Sequence, residues 1–259
     1  MTQPKIDTVK QYGSRFYLDP LDPSKRLPGV TSVLDMLPKP FLRYWMANVV
    51  AQSAVDNLGA VVNLVIGGDR AGAVDYLKRA PGRSTGKAAD VGNDVHALVE
   101  SLARGEKIGA VHPDIKPYVD GWRDFNEAMN PEYLYIEETV WSEKYGYAGS
   151  FDAIVVIDGE TIILDNKTTR SGVHAEVALQ MTAYKNADYI LRSDGSKVDL
   201  PDITGAAVLH LRPEHTSLVP VHTSDALMDV FVALLQVHKW DKDLSRGVVG
   251  KALDTWQQG

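Results

Sequence analysis

The chain contains no cysteine. That excludes a disulfide, a thiolate zinc site and a cysteine-bound iron–sulfur cluster. Long apolar runs are missing too. Even the stretch around Val61–Ile66 is far shorter than the about 20 residues a membrane helix needs. The opening Met1-Thr2-Gln3-Pro4-Lys5-Ile6-Asp7 has no apolar core of a signal peptide, so an intracellular location and no membrane partner are expected. A nucleotide-binding loop is also lacking. Gly82-Arg83-Ser84-Thr85-Gly86-Lys87-Ala88 resembles one, but it is a residue short, lacks the final Ser or Thr and follows no strand. No ATP and no motor activity are expected. There is no internal repeat and no low-complexity linker.

What is present is an ordinary globular composition over 259 residues, enough for one elaborated domain. The net charge of −7 is unevenly spread, with +5 over residues 1–88 and −12 over the remainder. Lys78, Arg79, Arg83 and Lys87 fall in an acid-free stretch from Tyr76 to Ala89. It reads equally as a phosphate-gripping face or as a solvated helix end and loop.

Turn formers dominate residues 1–30, with a short hairpin around Phe16–Leu18. Helical periodicity then covers about 31–37, with Thr31 as cap, and 40–58, 69–79, 86–104 and 114–129, ended by Pro81, Gly105 and Pro131. From Tyr133 the period changes to that of strands, at 133–141 and on both sides of Asp158-Gly159. A helix over 175–191, strands at 206–211 and 218–221, and a closing helix from Asp225 to Trp240 capped by Ser224 follow. The pattern predicts an α/β fold with a helical N-terminal extension.

The chemistry concentrates around the Asp158-Gly159 turn. Asp-Gly between short runs rich in Val and Ile signals a two-residue hairpin. In that register Ile157 faces Glu160 and Asp152 faces Asp165. Opposed like charges about 5 Å apart on apolar strands repel, which implies a cation between them. Lys167, two residues beyond Asp165, shares its face. Two acids and a lysine around one point suit a hard divalent metal and a phosphate; the bland alternative is a solvated strand end with a structural salt bridge. Asp114-Ile115-Lys116 has the same spacing but no strand before it and reads as surface charge.

Gly149-x-x-Asp152, then Asp165-x-Lys167, then Gln180-x-x-x-Tyr184, preceded by Gly92-x-x-x-His96-x-x-x-Glu100, resembles the PD-(D/E)xK nuclease superfamily. More narrowly the order is similar to its RecB-like exonuclease branch; the family's Pro is replaced by Phe151. The resemblance implies a restriction-endonuclease-like core over 86–259, with residues 1–85 as a helical, DNA-contacting extension. It implies Asp152, Asp165 and the backbone carbonyl of Asn166 as ligands of one or two Mg²⁺ or Mn²⁺ ions. Lys167 would hold and polarise the attacking water. His96 would help to bind a second metal, whereas its position alone also suits a boundary histidine among Val95, Leu98, Val99 and Leu102. Gln180 and Tyr184 would contact substrate or orient Lys167, or form a plain helix-boundary pair. Glu100 reads as a partner of His96 or as helix surface, and Glu138 as a weak candidate for the same cleft. Trp45, beside Arg43 and Tyr44, reads as a core anchor or as a stacking platform for bases. His210, His215 and His222 read as sheet-edge residues.

The activity implied is a metal-dependent DNA exonuclease acting in recombination, repair or phage DNA processing. DNA with a free end and a recombinase or single-strand-annealing protein are the expected partners, and an oligomer is compatible with the motifs. A structure-specific or restriction-type endonuclease, a non-catalytic DNA-binding module and a glycosidase using the two carboxylates are the competing readings.

Overall fold

The N-terminal region begins with three short strands, β1 (Thr8–Gln11), β2 (Ser14–Leu18) and β3 (Arg26–Pro28), which form a small antiparallel sheet. Six helices follow: α1 (Val30–Leu34), α2 (Phe41–Asp56), α3 (Leu58–Ile66), α4 (Arg70–Lys78), α5 (Ala80–Ala103) and α6 (Lys116–Met129). Then come strands β4 (Glu132–Ser142), β5 (Tyr147–Ile157) and β6 (Glu160–Lys167), helix α7 (Glu176–Lys185), and strands β7 (Tyr189–Leu191), β8 (Lys197–Val198), β9 (Gly205–Leu211) and β10 (Thr216–Pro220). Helix α8 (Asp225–Lys242) closes the fold. This computed structural model describes residues 5–256, without the side chains of residues 87–89.

Strands β4 to β10 build one mixed seven-stranded sheet in the order β10-β9-β6-β5-β4-β7-β8. Only β6 and β9 are parallel; the other neighbours are antiparallel. Strand alternation splits β6 cleanly: Ile163 packs under α1, α7 and α8, and Leu164 under α5 and α6. Helices therefore cover both faces, each over its own apolar cluster. One is centred on Phe151, Ile154, Met181 and Phe231. The other is centred on Val99, Val119, Trp122 and Leu209.

The N-terminal segment is stitched to this body. Tyr17 Oη accepts the Ser150 backbone N–H at 3.1 Å, and Ser14 Oγ lies 2.9 Å from His238 Nε2 in a buried contact. Val30, Val33 and Leu34 of α1 are core residues.

Several sequence expectations change. Helix α1 is capped by Gly29, not Thr31. Pro81 does not precede a loop. It sits in the first turn of α5, where its missing N–H leaves no helical bond unmade, so Gly82–Ala88 and the expected 85/86 boundary lie inside a helix. The helix expected over 175–191 stops at Lys185, because the Asp188 N–H bonds Trp141 O at 3.0 Å and Tyr189–Leu191 adds to the edge of β4. Ser224 caps α8 as expected, accepting the Leu227 N–H.

Trp45 is not a core anchor, since α2 and α3 have no buried residue, and Phe41, Tyr44, Val55 and Ile66 are well exposed. Among the described residues no single helix is long and apolar enough to cross a membrane. Helices α2 and α3 reach that length and composition only together, as a pair bent by 78°.

Gly149 shows how tightly α1, α7 and β5 meet. A Cβ there would lie 2.6 Å from Tyr184 Cε1 and 3.0 Å from Val30 Cγ2. Gly149→Ala is expected to destabilise the fold by about 1–3 kcal/mol, as overpacking does. Denaturant unfolding measures this, and an unchanged midpoint would show that α7 can step back freely.

Candidate metal centre

Asp158 and Gly159 have φ of 51° and 83°, so the β5–β6 hairpin turns in the left-handed conformation that matches strand twist. Pairing then runs from Ile157↔Glu160 to Ala153↔Leu164 in the register expected from the sequence. At the next step the ladder stops. Asp152 Oδ2 accepts the Asn166 backbone N–H at 2.6 Å, a charge-assisted bond in place of a ladder bond.

Asp165 is only 4% exposed, and Lys167 Nζ lies 2.6 Å from its Oδ2. Among the described residues this ion pair is the one contact of that oxygen. Burial pushes the Asp165 carboxyl above its usual value against the pull of Lys167, and repulsion from Asp152 adds to the rise. Burial alone would lower the Lys167 ammonium, but Asp165 and Asp152 outweigh it and hold it above its ordinary value. Asp165 and Lys167 thus each feel the charge of the other and of Asp152.

Helix α5 supplies His96, half-buried, with Nδ1 3.5 Å from Asp152 Oδ2. The helix comes close here because Gly92 faces Thr168, whose Oγ1 would lie 3.2 Å from a Cβ. Gln180 and Tyr184 sit one turn apart on α7, on the face of the sheet that carries Ile163. Both are buried, and Gln180 Nε2 donates to Tyr184 Oη at 2.9 Å. Burial pushes the Tyr184 hydroxyl well up, and the nearby Tyr17, Asp165 and Asp152 add to this. Among the described hydrogen bonds neither residue reaches Lys167. They underpin the site from within the core.

Glu137 is the residue that sequence reasoning missed. Glu138, the candidate it named, instead pairs with Lys5 at 2.7 Å. Glu137 has φ of 51° in mid-strand, between the pairs Ile136↔Ala153 and Glu138↔Phe151. Strand alternation gives no hint of such a turn in the backbone. One donor atom each from Glu137, His96 and Asp152 falls within 4.8 Å of the others. Among the described hydrogen bonds and ion pairs none joins Glu100 to His96. Glu100 holds Arg104 at 2.9 Å, and Arg104 Nη2 donates to Ile136 O at 2.8 Å, fixing the chain just before Glu137.

His210 is also misread from sequence. It is buried beside Lys167 in the β6–β9 register, with Nε2 2.7 Å from Thr169 O. With Arg212, which donates to Arg170 O at 2.8 Å, it pins the loop after Lys167. His215 and His222 are exposed. In the basic stretch, Arg79 pairs with Asp75, and Arg83 lies over the Tyr76 ring and donates to Tyr76 O. The Lys87 side chain lies outside the described residues.

The donor set of carboxylate oxygens, an amide and one imidazole fits Mg²⁺ or Mn²⁺, and the buried Asp165 Oδ2, whose one described contact is the Lys167 ammonium, offers such an ion a ligand oxygen. Either ion at a hundredfold excess over its Kd is expected to stabilise the fold by about 2.7 kcal/mol. Because burial raises the Asp165 carboxyl, protons compete there above the usual carboxylate range. The thermal shift should therefore shrink as pH falls, with protons released on binding. Calorimetry in buffers of different ionisation enthalpy measures that release, and Asp165→Asn should abolish most of it. Among known proteins, no family model matches the chain and no curated protein is significantly similar to it.

Proposed function

We propose that the chain is a metal-dependent deoxyribonuclease of the PD-(D/E)xK superfamily, with a restriction-endonuclease-like core and the activity of the RecB-like exonuclease branch. The observation that carries this reading is the meeting of Asp152, Asp165 and Lys167 at the end of one hairpin, with His96 approaching from α5. Four sequence motifs in family order add support.

Asp152 and Asp165 would hold the divalent ion, joined by the Asn166 carbonyl. A bound Mg²⁺ or Mn²⁺ supplies Lewis acidity at a phosphoryl oxygen and lowers the pKa of a coordinated water. Lys167 would hold the attacking water and offset charge on the phosphoryl oxygens with its ammonium; as the new P–O bond forms and the ester P–O bond breaks, the water's proton would pass to solvent and the departing alkoxide would take one up. The loop pinned by His210 and Arg212 fixes where Lys167 leaves the sheet. Buried Gln180 and Tyr184 keep α7 against Gly149, three residues before Asp152. The substrate is DNA with a free end, and a recombinase or single-strand-annealing protein is the partner that such an activity would serve.

End-labelled linear duplex and covalently closed circular DNA, each with Mg²⁺ or Mn²⁺, test the reading. Only the linear substrate should be degraded, and Lys167→Ala should slow this by about 10²–10³-fold, as loss of a charge-stabilising donor does. Cutting of the circle would make the enzyme an endonuclease. No cleavage with either ion would reduce it to a DNA-binding module.

A further inference from the structure

Helices α2 and α3 bury nothing inside the chain. Neither has a buried residue, although Leu58–Ile66 is apolar but for Asn63. Leu58, Val62, Val65 and Ile66 follow the i, i+4, i+7, i+8 spacing by which a helix normally faces a core, yet all four are exposed. With five more on α2, Phe41 and Tyr44 among them, nine large apolar side chains are 37–80% exposed. At about 150–200 Å² for each side chain, the exposed part is on the order of 800–1,000 Å². The largest apolar patch on a typical monomer is about 300–600 Å², whereas a stable interface takes about 800 Å² from each partner.

Charge says what covers this face. Phe41–Ile66 holds only Arg43 and Asp56 as charged residues, and they cancel, whereas the chain after residue 88 carries −12. A second copy of the chain is repelled by that acidic remainder and meets no net charge at α2 and α3. Other occupants lack what they need. Helices that lie on a lipid surface carry a strongly charged face rich in Lys and Arg, and α2 and α3 are bent by 78°, so they do not form one span. A phosphate backbone is gripped by several Lys and Arg side chains, of which Phe41–Ile66 has one.

We infer that α2 and α3 form an isologous interface with a second copy of this chain, so that the molecule is a two-fold dimer in which the α3 stripe packs on its twin. Across a two-fold axis one patch is its own complement, and the contact closes at two copies. The inference goes beyond the nuclease reading and does not rest on it, since α2 and α3 supply no residue of the metal centre.

Sedimentation equilibrium of the full chain, from low to high micromolar concentration, tests this. The wild type should sediment at twice the chain mass, and high salt should leave the dimer intact because the contact is apolar. Val62→Glu combined with Ile66→Glu puts like charges across the axis and should raise the dimer dissociation constant at least about hundredfold. Val62→Lys combined with Ile66→Lys should do the same, and an equimolar mixture of the two variants should regain the dimer. Both positions are exposed, so each variant should fold, which a far-ultraviolet circular dichroism spectrum like that of the wild type verifies. A wild type that stays monomeric, a dimer that survives the Glu variant, or a mixture that stays monomeric would overturn the inference. A monomeric wild type that cosediments with phosphatidylcholine vesicles, and loses this in the Glu variant, would give the face to lipid instead. A trimer or an open polymer would reveal a head-to-tail contact and overturn the two-fold. DNA cleavage enters none of these outcomes, so the nuclease reading stands or falls separately.

Discussion

A carboxylate taken out of water inside a sheet is tolerated only when something restores the lost solvation, and Asp165 sets that requirement here. It lies on a strand whose neighbours Ile163 and Leu164 are core residues, and it keeps 4% of its surface. Lys167 supplies the compensating charge from two residues away on the same strand face. Asp152, across the hairpin, cannot also sit passively beside Asp165. It turns its oxygen onto the Asn166 N–H, which ends the β5–β6 ladder one pair early. The open end of the sheet, where a ligand can approach, is therefore a product of electrostatics rather than of strand length.

Everything packed around this end serves to hold it in place. Gly92 lets α5 approach Thr168, so that His96 comes within 3.5 Å of Asp152. Gly149 lets the Tyr184 ring lie against β5, and the Tyr17 hydroxyl fixes the next residue, Ser150. Helix, N-terminal hairpin and core thus converge on four consecutive residues, Gly149 to Asp152. That dependence gives the N-terminal strands and α1 a role in placing the site, whatever else their neighbouring helices contact.

How much of this is legible in the sequence depends on whether local chemistry or tertiary context decides. The hairpin register follows from a two-residue Asp-Gly turn and strand alternation, so the Asp152/Asp165/Lys167 grouping can be read directly. Ser224 follows from the chemistry of its own side chain. Glu137 cannot be read, because alternation assumes extended backbone and its φ of 51° breaks the assumption. The end of α7 is lost for a related reason: Tyr189–Leu191 keeps an apolar pattern, and only the free edge of β4 makes it a strand. His210 carries no metal-ligand spacing, and its burial depends on the parallel pairing of β6 with β9, which joins segments some forty residues apart. Apolar composition suggested a core for Trp45, yet the sheet's two faces are already covered by other helices.

The ion pair between Lys167 and Asp165 has a further consequence under the proposed function. The lysine neutralises the carboxylate and is itself held charged by it. A divalent ion held by Asp152 and Asp165 would supply that neutralisation, and the Lys167 ammonium would then be available to a phosphodiester oxygen. Cation affinity and phosphate affinity would in that case be linked through one side chain, a coupling free energy that each ligand exerts on the other.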